Sequence, residues 1–100
     1  MWLVEVIQYE PASWYLLREG GNHYLDINCT QSAVSFSILL QFNDEEESRY
    51  NAQGRMFLEY LASEVSYQPS RYWSRNLIGP LAEGAGEAVA NWQRARRDKG

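Results

Sequence analysis

Arg71 and Arg75 stand four residues apart in an aromatic stretch, Tyr67-Gln68-Pro69-Ser70-Arg71-Tyr72-Trp73-Ser74-Arg75-Asn76. A helical turn would put both guanidinium groups on one side of the chain. There they can grip a carboxylate or phosphate, or stack on aromatic rings. Tyr72 and Trp73 cannot both face inward in an extended chain, so at least one is expected at the surface. Trp, Tyr and Arg are also the residue types that anchor protein interfaces. Arg71, Tyr72, Trp73 and Arg75 are therefore the candidates for an interaction or ligand site. The readings for this segment are internal anchoring to an acidic part of the chain, a protein interface, and a small-anion or nucleic-acid site.

Other reactive side chains are sparse. His23 is the single histidine and Cys29 the single cysteine. Cys29 follows Ile27 at strand spacing and reads as an inert core thiol. Asp26 and Asn28 fall on the opposite strand face from His23, which argues against a local triad. Four consecutive acids, Asp44 to Glu47, do not converge on one point, and they lack EF-hand spacing. One Cys and one His are too few ligands for zinc. No phosphate-binding Gly-Lys-Ser/Thr motif or dinucleotide fingerprint is present. The expectation is no catalytic residue, no metal and no cofactor, with an enzyme built from distant residues left open.

Charge narrows the partner classes. The 100 residues carry a net charge of −4. Residues 1–64 hold ten acids and three arginines, a balance of −7, whereas residues 65–100 hold three acids and six bases. The acidic excess argues against a nucleic-acid surface. The basic cluster Arg94, Arg96, Arg97 and Lys99 suits a helix C-terminus. A lone cysteine cannot form an intrachain disulfide, which fits a reducing, cytoplasmic setting. The first residues make a poor signal peptide, and no apolar run reaches membrane-spanning length. Hydrophobic residues at 45% exclude a disordered chain.

The elements that must position these groups are a strand-rich first half and a helical second half. Residues 2–8, 13–19, 22–29 and 32–42 read as four strands. Gly20-Gly21 allows the positive φ angles of a two-residue hairpin. That turn fixes a register: Glu19 opposes Asn22, Arg18 opposes His23, Leu16 opposes Leu25 and Trp14 opposes Ile27. A tight turn at Thr30-Gln31 would set Ile27 against Val34 and Leu25 against Phe36. Val34, Phe36, Ile38, Leu40 and Phe42 share one face of the fourth strand. Tyr15, Leu17, Tyr24 and Leu39 make the other face unusually apolar. They are the candidates for a dimer face, unless the C-terminal segment covers them.

Asn43 with Glu46 three residues on predicts a capping box. It opens a long helix to about residue 65, whose apolar stripe is Tyr50, Gly54, Phe57, Leu58, Leu61 and Val65. Gly54 on that stripe suggests close approach to the sheet, and Arg55 with Glu59 a weak surface pair. Pro69 ends the helix. A last helix begins at 80 or 86, weakened by Gly84 and Gly86. The expected fold is a single α+β domain over residues 1–100: an antiparallel four-stranded meander packed by one long helix and a C-terminal helix. The expected role is a non-enzymatic protein-interaction module that forms a homo-oligomer or meets a protein partner, with no nucleic acid and no membrane. The alternatives are a small-ligand or anion-binding domain using residues 67–76, and a small enzyme.

Overall fold

The computed structural model describes residues 4–31 and 34–99, with side chains for all of these except 30, 31, 34 and 97–99. Strands β1 (Glu5–Glu10), β2 (Trp14–Glu19), β3 (Asn22–Gln31) and β4 (Val34–Gln41) form an antiparallel meander in chain order. Helices α1 (Asp44–Gln53) and α2 (Arg55–Tyr67) follow. Two short 3-10 turns, Pro69–Arg71 and Trp73–Arg75, lead into α3 (Pro80–Lys99). The fold is α+β, and the sheet is the middle of three layers, with α2 on one face and α3 on the other. Trp2, Leu3, the residues at 32–33, and the side chains of Arg97 and Lys99 lie outside the description.

The β2–β3 hairpin has the register that its Gly20-Gly21 turn dictates, from Glu19 opposite Asn22 to Trp14 opposite Ile27. Gly20 takes a φ of 63°, a conformation that glycine adopts without steric cost. The β3–β4 register differs from the expected one. Ile27 opposes Ile38 and Leu25 opposes Leu40, because β3 runs on through Thr30 and Gln31 instead of turning there. The offset is even, so no side chain changes face.

One face of the sheet meets α2. Trp14, Leu16, Leu25, Ile27, Ile38, Leu40 and Phe42 pack against Phe57, Leu58, Leu61, Ala62 and Val65. Full burial of each large apolar side chain is worth roughly 1.5–3 kcal/mol. Cys29 lies within this core and is fully buried. Burial pushes its thiol pKa up, and the nearby Asp26 charge adds to the effect.

Asn43 closes the α1 N-terminus as a complete capping box: its side chain accepts from the Glu46 N–H, and Glu46 Oε1 accepts from the Asn43 N–H. The long helix is interrupted at Gly54, where φ is 61° and ψ −133°. A Cβ built on Gly54 would meet nothing within 4 Å. The glycine therefore serves the backbone break, and close approach to the sheet does not explain it. Arg55, the first residue after the break, contacts Glu59 at 3.2 Å, pairs with Glu10, donates to the Tyr9 carbonyl and lies over the Trp14 ring. It ties α2 to β1 and β2.

The helical glycines give opposite expectations. Gly54→Ala forces a side chain into a glycine-only conformation and should destabilise by about 1–3 kcal/mol. Gly86→Ala, helical and with open space for its Cβ, should stabilise by about 0.5–1 kcal/mol. Urea unfolding followed by far-UV circular dichroism measures both.

Candidate functional site

Pro69 begins the first 3-10 turn and is itself buried. Gln68, with ψ 66°, has left helical geometry as a residue before proline must. Beyond it the side chains separate. Tyr72 turns inward against the α2 core. Its pKa is pushed up to about 12, first by burial and then by its hydrogen bond to Glu64. Glu64 in turn is held below its usual range by the Tyr60 and Tyr72 hydroxyls. Trp73 turns outward, 58% exposed, and meets Phe36 edge-on at 6.0 Å.

The two arginines have different surroundings. Arg75 forms a two-pronged pair with Glu46, at 2.7 and 3.0 Å, and also donates to the Gln41 carbonyl at 3.0 Å. Arg71 is exposed and donates to the Gln68 side chain at 3.0 Å. Arg75 thus anchors the segment to α1 and β4, so its guanidinium is already committed.

Asn76 and Leu77 complete the anchoring. The Leu39 N–H donates to Asn76 Oδ1 at 2.8 Å, and the Leu39 carbonyl accepts from the Leu77 N–H at 2.9 Å. Both groups belong to the outer edge of β4. The Phe42 N–H bonds to the His23 carbonyl, so even-numbered residues of β4 face β3 and odd-numbered ones face outward. Leu39 and the Gln41 carbonyl are therefore covered by residues 75–77. Ser35 and Ser37, the other two outward positions, have no backbone partner among the described residues. Beside them lies an open cavity of about 350 Å³ formed by Phe36, Pro69, Ser70 and Trp73.

The second sheet face is occupied by the chain itself. Tyr15, Leu17, Tyr24 and Leu39, expected as a dimer face, are at most 8% exposed. Leu81, Ala82, Ala85 and Val89 of α3 pack over Leu17, Tyr24 and Leu39, joined by Val4, Val6 and Leu77. Farther along α3, Gln93 donates to the Tyr15 hydroxyl at 2.7 Å, and Trp92 packs 4.5 Å from Tyr9. Arg96 covers both the Tyr9 and Trp92 rings. A twin meeting this face would have to displace α3.

His23 also has an internal partner. Its Nδ1 lies 2.7 Å from Glu47 Oε1, and its backbone N–H donates to Glu47 Oε2. Phe42 and Tyr50 flank the ring. The pair joins α1 to the β2–β3 hairpin. Among the described residues no group of three or more His, Cys, Asp or Glu is placed to hold a metal ion, and no helix is long and apolar enough to cross a membrane.

Three features escaped sequence reasoning: the free positions Ser35 and Ser37, the Phe36–Trp73 cavity, and the burial of Asp26. Only Asp26 left a signal, as an acid on the same strand face as Tyr24. It sits under α3 beside Leu39 and Ala85, and burial raises its pKa to about 6. No protein-family model, curated protein or solved structure matches this chain.

Arg75→Ala leaves Glu46, whose side chain is 12% exposed, without its counter-charge. It should cost about 1–3 kcal/mol, whereas Arg71→Ala should stay within about 0.5 kcal/mol. Chemical denaturation of the two variants separates the roles. Asp26 gives a pH-dependent expectation. Its folded pKa lies above the unfolded value, so its stabilising share is complete below pH 4 and is lost as the pH rises through about 6. Asp26→Asn should therefore stabilise by about 1–3 kcal/mol at pH 8 and change little at pH 4. Urea midpoints at the two pH values test the sign.

Proposed function

We propose that this chain is a non-enzymatic protein-interaction module that self-associates through the free edge of β4. The observation that carries the reading is the incomplete cover of that edge: residues 75–77 close its outward groups at Leu39 and Gln41, while those of Ser35 and Ser37 have no backbone partner among the described residues. Exposed edges normally carry a charge, a proline or a bulge that blocks pairing. β4 reads Val-Ser-Phe-Ser-Ile-Leu-Leu-Gln and has neither charge nor proline.

A second copy fits this edge in one economical arrangement. With a two-fold axis at Phe36, Ser35 of each chain opposes Ser37 of the other, and each such pair exchanges both backbone bonds. Phe36 then opposes its twin at the close, non-hydrogen-bonded position, where aromatic cross-strand pairs add stability. Each incoming Phe36 ring arrives beside the cavity of Phe36, Pro69, Ser70 and Trp73. Pairing ends at Leu39, where Asn76 and Leu77 already hold the edge. The exposed Trp73 supplies an interface anchor of the usual type.

Sedimentation equilibrium across 1–200 µM should give a concentration-dependent dimer, the range being that expected of about a micromolar association. Ser37→Pro removes one outward N–H and leaves the β3–β4 bonds intact, since proline is tolerated at such edge positions. It should be monomeric with an unchanged circular dichroism spectrum. A wild-type monomer throughout, or a Ser37→Pro variant that still dimerises, overturns the reading.

A further inference from the structure

Asp26 lies on the sheet face beneath α3 with a cavity beside it. The pocket, about 190 Å³, opens between β4 and the first turns of α3. Its polar wall is made of Asp26, Ser37 and Asn76, and its apolar wall includes Leu77, Ala82 and Ala85. We propose that this cavity binds a primary alkylammonium group, with the Asp26 carboxylate, the Ser37 hydroxyl and the Asn76 side-chain oxygen as its three acceptors.

Among the described residues, the elements around Asp26 bring it no counter-charge. Tyr15 opposes it on β2 and Leu39 opposes it on β4. The Tyr15 hydroxyl accepts from Gln93. α3 presents Ala82, Ala85 and Gly86, and the connection before it presents Asn76 and Leu77. The Cys29 thiol also senses the Asp26 charge. Among the described residues Asp26 makes no ion pair, and burial alone accounts for its raised pKa. An isolated, half-buried carboxylate gains most from a ligand that brings the missing positive charge.

The acceptor set selects the type of cation. A primary ammonium has three donors and no acceptor. The cavity wall offers three oxygen-bearing side chains, Asp26, Ser37 and Asn76, and Asn76 Oδ1 still has a lone pair after accepting from the Leu39 N–H. A divalent metal ion would want several carboxylates, and a single one is present. A quaternary ammonium has no donor for the oxygens and favours aromatic cages. The alkyl carbons of a primary amine would lie against Leu77, Ala82 and Ala85, with roughly 0.8 kcal/mol available per buried methylene. The same chemistry occurs in free alkylamines and at the tip of a lysine side chain.

Amide chemical shifts in ¹⁵N-labelled protein test the site at pH 7.5, with n-butylammonium chloride, Nα-acetyl-lysine methylamide and tetramethylammonium chloride as probes at equal ionic strength. The expected result is a saturable shift at Asp26, Ser37, Asn76 and Ala85 with n-butylammonium. Saturation with the lysine derivative as well would mark a peptide lysine as the source, and saturation with n-butylammonium alone a free amine; both support the site. Affinity for n-butylammonium should fall about tenfold at pH 5, where Asp26 is mostly neutral. Asp26→Asn, expected to be the more stable protein at pH 7.5, should lose at least tenfold in affinity. Linear shifts that match those of tetramethylammonium, or affinity unchanged by pH and by Asp26→Asn, overturn the proposal.

Discussion

Leu16, Leu25 and Leu40 face α2, while Leu17, Tyr24 and Leu39 face α3, and all six are buried. The central strands thus have no face suited to water. An antiparallel sheet usually keeps one wet side, and this one cannot. Both helical layers are required by that pattern. α2 covers its face with large side chains, Phe57, Leu58, Leu61 and Val65. α3 covers the other with smaller ones, Ala82 and Ala85 among them, and is fastened by aromatic contacts at Trp92. The two cores therefore differ in character although they share a sheet.

Covering both faces leaves the edges as the exposed part of the sheet. On the β1 side, Arg55 reaches from α2 to the Tyr9 carbonyl. On the β4 side, Arg75, Asn76 and Leu77 hold the outward groups of Gln41 and Leu39. The aromatic and basic segment is thereby an edge closure over half of β4, with Trp73 directed outward where that closure ends. Glu46 shows how economically the closure is tied to the helices. It completes the capping box of α1 and receives Arg75 at the same time.

Much of the architecture was legible because local rules and the global pattern agree. Gly20-Gly21 between two alternating strands fixes one hairpin register, and the capping residues Asn43 and Glu46 lie three apart in sequence. The β3–β4 offset was not legible, since residues 30–33 carry no compact turn signal and a shift by an even number of residues preserves every apolar alternation. Gly54 was visible as unusual, but a glycine required for its φ and one required for close packing look alike in sequence. The Arg75–Glu46 pair joins residues 29 apart, and the Asp26 cavity joins β3, β4 and α3. Such convergence depends on tertiary placement, which no spacing rule encodes. The apolar second face was legible as a face needing cover, and α3 is what covers it.

The fastening of α3 has a consequence for synthesis. Tyr9 is covered by Trp92 and Arg96, and its hydroxyl accepts from a guanidinium 87 positions later. The meander can pair its neighbouring strands as they emerge from the ribosome, because hairpin contacts are local. The α3 side of β1 has to wait until residues 92–96 are free to fold back. Until then Tyr9 and Tyr15 form an uncovered aromatic patch on a nascent chain, the kind of surface that chaperones hold.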